Sequence, residues 1–324
     1  MDYAHRQTDK ELKRLEKKLS KEYKKAYREA KKKADDYFRQ FRKEDADKLK
    51  LVDAGLMKKR DYITWRYKKM LTGKRWSDMV DVLAKDMNNV NKIAEAMIND
   101  GLTDIYALNA NYGAYEIDKG LGINTSWTLC DHSTVENLMR RNPQVIPRPR
   151  LDIPKDMRWN RQKITSAITQ GVLQGDSIPD IAKRLRKVTN MNESSALRNA
   201  RTYTTSAENK GRIDSYNRAR KLGIDVEKEW QSTPDGRTRD SHIELDGERV
   251  PVNATFSNGC RYPADPMGTP EEVYNCRCTL VAAVKGRQYH DDRFTRLPEG
   301  TTYEQWKEQA HERIAKKMKP KGQS

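Results

Sequence analysis

The sequence predicts an α-rich α+β protein: a helix-rich N-terminal region, then a C-terminal α+β part with a small, mostly antiparallel sheet. Three observations predict it. Apolar residues step by three or four from Leu12 to Phe41. Prolines crowd the segment 142–158. From Asp225 the texture changes to short β-like runs joined by Gly, Pro and Asp loops.

The first stripe is Leu12, Leu15, Leu19, Tyr23, Ala26, Ala30, Ala34, Tyr37 and Phe41. Its mean spacing of about 3.6 is the ordinary helix period rather than a coiled-coil repeat. The stripe is narrow and partly alanine, and the other faces are Lys, Arg and Glu, so such a helix packs one side lightly. Residues 56–71 read as a second helix with Ile63, Trp65, Tyr67 and Met70, and Gly73 breaks the pattern. A third helix opens near Trp76 and carries Met79, Val80, Leu83, Met87, Val90, Ile93 and Met97 on one face. Gly101 is expected to end it. Residues 102–118 continue helically until Gly120 and Gly122.

Pro143, Pro147, Pro149 and Pro154 make 142–158 a connector, because no regular element survives that density. Helices follow at 159–174 and 178–188, the second with Ser177 as N-cap and Pro179 in its first turn. Asn192 is placed to cap a long helix from Glu193 to Leu222, with Gly223 at its C-terminal turn. That helix carries the small-sided stripe Ala196, Ala200, Thr204, Ala207 and Gly211, which permits close approach of another backbone. VEKEWQS, ERVPV and CTLVAAV read as strands. A short amphipathic helix near 302–318, with Tyr303, Trp306, Ala310 and Ile314, leads into a basic tail. The expected divisions are 1–141, a basic helical region; 142–158, the connector; 159–284, the α+β domain; and 285–324, the C-terminal helix and tail.

Composition narrows the function. With 35% apolar and 34% charged residues and a mean hydropathy of −1.02, one large core is not expected. No apolar run approaches the roughly 20 residues of a membrane span. The N-terminus lacks the apolar stretch of a secretory signal, so synthesis and first action in a cytosol are expected. Four cysteines, three of them clustered, suit metal ligands or plain thiols better than a disulfide framework. The net charge of +17 is concentrated: residues 1–75 hold 26 Lys/Arg against 13 Asp/Glu, while residues 76–175 hold 11 against 12. Such an arm is expected to meet a polyanion, here double-stranded DNA without sequence preference. Its candidate contacts are Lys17, Lys18, Lys24, Lys25, Lys31, Lys32 and Lys33. The competing reading is a solvated helix face.

The C-terminal part is dense in turn chemistry. Pro234-Asp235-Gly236 and Asp246-Gly247 read as turns between strands, and Pro263, Asp265, Pro266 and Gly268 stiffen a long loop ahead of Asn275. Arg237 and Arg239 are expected to be held by Asp240 or Asp265. In order, the chain presents LRNARTYTTSAENKGRIDSYNRARKLGI, a strand ending in Trp230, RTRDSH, LDG, NGCRYPADPMG and NCRC. This series resembles the Mu F-like head-morphogenesis domain of tailed phages. The resemblance implies a minor head protein present in a few copies inside the capsid near the portal vertex. It also implies contacts with the portal protein and DNA that support head assembly and DNA packaging or exit, with scaffold or major capsid protein as further partners. It implies no catalytic activity, and no catalytic residue or enzymatic function is expected.

Cys276 and Cys278 are the sharpest chemical feature. Two apart on an extended chain, they point to the same side. Zinc takes about four N/S ligands; His242 is a natural third and Cys260 the remaining candidate. Some members of the resembled family carry Cys-x-x-Cys where this chain has Arg239-Asp240-Ser241-His242, and an arginine at the first position cannot bind metal. The alternative is a metal-free cluster that fixes the loop. Cys130 and His132 precede a helix that Asp131 or Ser133 can cap, and His290 reads as a surface loop. A metal-dependent DNA-processing enzyme with a Cys/His site is the competing function. Against it, phosphodiester hydrolysis needs a base and a metal held in one site, and of the His residues only His242 lies within the motif series. The 40 residues after 284 are too few for an appended effector domain. Trp65, Trp76, Arg237, Arg239 and Arg261 are the expected anchors for the portal.

Overall fold

The computed structural model describes residues 1–125, 127–143, 145–146, 157–284 and 295–318. In chain order come α1 (Tyr3–Arg39), α2 (Arg42–Asp53), α3 (Lys59–Met70), α4 (Lys74–Leu121), β1 (Ile123–Asn124), α5 (His132–Arg141), α6 (Met157–Gln174) and α7 (Ile178–Lys183). There follow α8 (Leu185–Lys221), β2 (Val226–Gln231), α9 (Asp240–Glu244), β3 (Arg249–Pro251), α10 (Pro270–Val273), β4 (Thr279–Val284), β5 (Thr295–Arg296) and α11 (Tyr303–Met318). The expected α-rich α+β class is what is seen. The expected connector prolines Pro147, Pro149 and Pro154, the loop at His290, and the Ile314 side chain lie outside the described residues. Among the described residues no helix is long and apolar enough to cross a membrane.

The chain forms two units, neither of them continuous in sequence: Met1–Leu15, Ile98–Leu151 and Arg198–Ser324 in the first, Glu16–Met97 and Asp152–Leu197 in the second. The contacts therefore do not follow the linear division at 141, 158 and 284. Helices α1, α4 and α8 each contribute to both units.

In the second unit the alanine-rich stripe of α1 is buried by the chain's own helices. Ala30, Ala34 and Phe38 pack with Met70, Trp76, Leu83, Ile164, Ile168 and Leu185. Tyr37 and Phe41 of the expected stripe pack against this core, and Phe38, which the stripe omitted, is fully buried in it; α1 ends at Arg39, so Phe41 stands at the N-cap position of α2. Trp76 is a core residue and Trp65 packs against the same core, which corrects the expectation that both serve as anchors for a partner. A buried hydrogen-bonded ladder runs within the same unit. Tyr23 donates to Asn91 at 2.7 Å, Asn91 to Asn192 at 2.7 Å, and Asn192 to Asn160 at 3.1 Å. Asn192 is thus an interior residue of a helix that already begins at Leu185, not a cap. Ser177 does cap α7, accepting from the Asp180 amide at 3.3 Å.

Gly101 does not end its helix either. Its φ is not left-handed and α4 runs through it, a position that glycine occupies at a cost of about 1 kcal/mol.

The first unit carries the sheet. Strands β3-β2-β4 are antiparallel, with Lys228 opposite Val250 and Trp230 opposite Leu280. Three of the runs read as strands are these three. Trp230, Phe256, Tyr216 and Trp306 lie at the centre of the core. The small-sided face of α8 meets α4 closely: a Cβ on Gly211 would lie 2.5 Å from the Tyr106 carbonyl oxygen. Asp118 accepts the indole N–H groups of both Trp127 and Trp306 at 2.9 Å, a buried clamp that pattern alone did not suggest.

Candidate functional site

Helix α9 and the extended segment just ahead of β4 bring His242, Cys276 and Cys278 together. Their ligand atoms all lie within 4.8 Å of one another, and the three residues are only 1–2% exposed. The His242 Nδ1 is 3.4 Å from the Cys278 Sγ and 3.7 Å from the Cys276 Sγ. Its Nε2 lies 3.0 Å from Glu272 Oε2. That carboxylate is anchored in turn by Ser241 at 3.0 Å and Asn258 at 2.8 Å. Burial raises the Glu272 carboxyl, but these donors together with His242 hold it below its usual value. A carboxylate at Nε2 keeps the proton there, so Nδ1 turns its lone pair toward the two sulfurs.

The cysteine segment is fixed by its backbone. Thr205 donates to the Cys276 carbonyl at 2.6 Å, Thr233 to the Arg277 carbonyl at 2.6 Å, and Asn209 to the Cys278 carbonyl at 3.1 Å. Asn275 enters the segment at φ 56, a left-handed turn, with its amide on Thr202 Oγ1 at 3.1 Å. Ser232 donates to the His242 carbonyl, and the Trp230 ring stands edge-on to the imidazole at 5.0 Å. Hydrogen bonding from Cys276 pulls the Cys278 thiol down, while burial pushes the Cys276 thiol well up.

Cys260 does not join this group. It is buried against Gly268, where a Cβ would come within 2.7 Å of its sulfur, and burial pushes its thiol up to about 12. The expected four-residue set is therefore corrected to three. The arginine pairings also differ from expectation. Asp265 grips Arg261 through both carboxylate oxygens at 2.7 and 2.6 Å, and Arg277 takes Asp235. Arg239 donates to the Glu271 and Tyr274 carbonyls, and exposed Arg237 lies 3.5 Å from Asp235. Asp246 and Gly247 form a turn, but one that joins α9 to β3 rather than two strands: Asp246 accepts the Ser232 amide at 2.7 Å, and Gly247 has φ 80. Asp131 caps α5 through the Thr134 amide at 2.7 Å, and His132 faces Asp104 at 2.7 Å.

A second feature lies within the second unit. Lys24, Arg28 and Arg186 line a groove of about 420 Å³ together with Tyr23, Tyr27 and Glu193. It adjoins one of about 540 Å³ that shares Arg186 and adds Lys187. Lys183 and Arg184 of the latter are paired with Asp180 and Asp176. The charge that faces solvent is thus that of Lys24, Arg28, Arg186 and Lys187, all exposed. Of the other lysines singled out on α1, Lys17, Lys18, Lys25 and Lys32 are exposed, whereas Lys31 pairs with Asp35 and Lys33 with Asp86. Arg186 and Lys187 escaped the sequence reading because the groove joins α1 to α8, far apart in the chain; Arg28 sits on α1 among the lysines that were singled out.

Residues 162–281 match the family described as Phage Mu protein F like protein. The chain is 27% identical over 233 residues to the NAD(+)--arginine ADP-ribosyltransferase EFV of Enterococcus faecalis strain V583, covering 69% of this chain and 48% of that protein. It is 26% identical over 244 residues to the minor head protein GP7 of Bacillus phage SPP1, covering 71% and 77% respectively. It is also 26% identical over 139 residues to the uncharacterized protein YqbB of Bacillus subtilis strain 168, covering 40% and 45%. The chain thus spans about half the length of two of these three relatives. No solved structure matches it. The enterococcal relative corrects the expectation that this likeness carries no enzymatic function, since that protein is named a transferase.

Proposed function

We infer, from a chain whose residues 162–281 match the Phage Mu protein F like family, that it is a minor head protein of a bacteriophage. The observation that carries the reading is the family match, extended by the likeness to the SPP1 minor head protein over 77% of that protein's length. In this reading the protein is assembled in the host cytoplasm as a low-copy component inside the head, beside the portal. It contacts the portal protein and double-stranded DNA during packaging or exit, and scaffold or major capsid protein are further partners. Since Trp76 is internal, the portal contact falls to exposed groups such as Leu49, Leu51, Leu56 and Arg237.

Co-expression with the portal protein is expected to yield a co-purifying complex. Quantitative mass spectrometry of purified heads is expected to find this chain far below major-capsid stoichiometry. Absence from heads together with no portal association would overturn the reading.

The DNA contact is supported by the basic groove and the exposed lysines of α1. Phosphate neutralisation releases counterions, so affinity for duplex DNA should fall steeply with salt. Each phosphate contact removed should lower the log–log salt slope by about one. The triple variant Lys24→Glu, Arg28→Glu, Arg186→Glu is therefore expected to bind weakly, with a slope shallower by about three. Unchanged slope and affinity at low salt would return these residues to a solvated face.

A further inference from the structure

We propose that His242 Nδ1, Cys276 Sγ and Cys278 Sγ hold one zinc ion, with Glu272 as the outer carboxylate that orients the imidazole.

The donor geometry fits. Zinc–sulfur bonds of about 2.3 Å and zinc–nitrogen bonds of about 2.0–2.1 Å at a tetrahedral angle place S and N about 3.6 Å apart. The two S···N separations, 3.4 and 3.7 Å, bracket that value. The donor type fits as well, because two thiolates and a neutral imidazole are ligands that select a soft or borderline divalent ion. Two thiolates balance the ion's charge, so the filled site is neutral, which is what burial at 1–2% exposure demands. The Glu272–His242 hydrogen bond reproduces the carboxylate–histidine–metal arrangement that fixes a ligating tautomer. Backbone anchoring by Thr205, Thr233 and Asn209 sets the cysteine pair in place without relying on the ion.

Among the described residues no fourth His, Cys, Asp or Glu joins the group, so a water, which keeps the site neutral, completes the coordination. Binding converts both thiols to thiolates, and their two protons leave to solvent. The ion ties α9 to the segment that leads into β4, and this holds whether or not the chain works in a phage head.

The test uses the full chain, purified without chelators after growth with added zinc. Elemental analysis is expected to find about one zinc per chain. Cys278→Ser should lose nearly all of it, while Cys260→Ser should retain it. Glu272→Gln should still bind one ion at saturation, with affinity lower by about 10- to 100-fold. Cobalt exchanged into the site should give thiolate-to-metal charge-transfer absorption and the intense d–d bands of a four-coordinate ion. That spectrum decides the matter even where a serine variant fails to fold. A folded wild-type chain that takes up neither zinc nor cobalt, with Cys276 and Cys278 titrating as thiols, would overturn the proposal. Equal loss of zinc in Cys260→Ser would overturn the ligand set.

Discussion

Gly211→Ala is expected to destabilise the protein by about 3 kcal/mol or more, although alanine is the better helix former. Two effects oppose each other here. Removing a helical glycine contributes about 1 kcal/mol in favour of folding. The added methyl, however, would lie 2.5 Å from the Tyr106 carbonyl oxygen and 2.9 Å from the Ala110 amide nitrogen. Both are backbone atoms of α4, which cannot rotate away as a side chain can, so the two helices must separate and the packing beside them opens. Gly101→Ala is the matched control. It sits within the same long α4, its φ is not left-handed and nothing lies within 4 Å of the new Cβ. There only the propensity term operates, and the variant should gain about 0.5–1 kcal/mol. Thermal or urea denaturation of the pair checks both signs, and equal effects would show that α4 and α8 do not meet at Gly211.

Arg212→Met is expected to cost about 3–5 kcal/mol, because it strands several buried carboxylates at once. Arg212 is fully buried. It grips Asp2 through two bonds of 2.7 and 2.9 Å, donates to the Leu280 carbonyl at 2.7 Å, and lies 3.7 Å from Glu116 and 3.6 Å from Glu208. His5 meets Glu208 at 2.7 Å and Tyr216 donates to Glu116 at 2.9 Å, completing the network. Arg212→Lys keeps the charge but loses the fork, so it should recover only part of the loss.

The pH dependence has a definite sign. Burial pushes the Glu116 carboxyl up to about 7 against the pull of Arg212. A folded value above the unfolded one means that the group's contribution is complete below about 4.5 and lost as pH rises through about 7. Asp2 behaves oppositely: burial raises its carboxyl, Arg212 more than offsets this, and its contribution is lost as pH falls. Without Arg212 the cation left beside these carboxylates is His5, which meets Glu208 and takes up its proton more fully as pH falls, while acid also neutralises the carboxylates, so acid relieves the variant. The melting-temperature gap between wild type and Arg212→Met should be on the order of 10 °C near neutral pH and narrower at about pH 5. A gap independent of pH would mean that packing, not charge, is what the arginine provides.

Most of the long helices and the three main strands were legible because each rests on a local rule, whereas the short helices α2, α9 and α10 were not read. Helical stripes marked α1, α4 and α8; β-like runs and turn residues marked β2, β3 and β4. Errors fell where the local signal is weak and packing decides. Gly101 and Asn192 look like helix boundaries, yet the tertiary structure satisfies Asn192 inside a buried amide ladder and carries α4 through Gly101. Trp76 looked like an anchor for a partner because the sequence does not say which helices will cover it.

The pairing of Cys276 with Cys278, and the choice of His242 as their third companion, followed from spacing and motif order alone. What only the tertiary structure decided is which groups stand around them. It placed Glu272 on the imidazole, set Cys260 apart against Gly268, sent Asp265 to Arg261 rather than to Arg237 or Arg239, and assembled the Asp2–Arg212–Glu116 network. The reason is physical. Period and turn chemistry are encoded within a few residues, whereas a buried charge or thiol takes its partner from whichever distant segment the packing delivers within hydrogen-bonding reach.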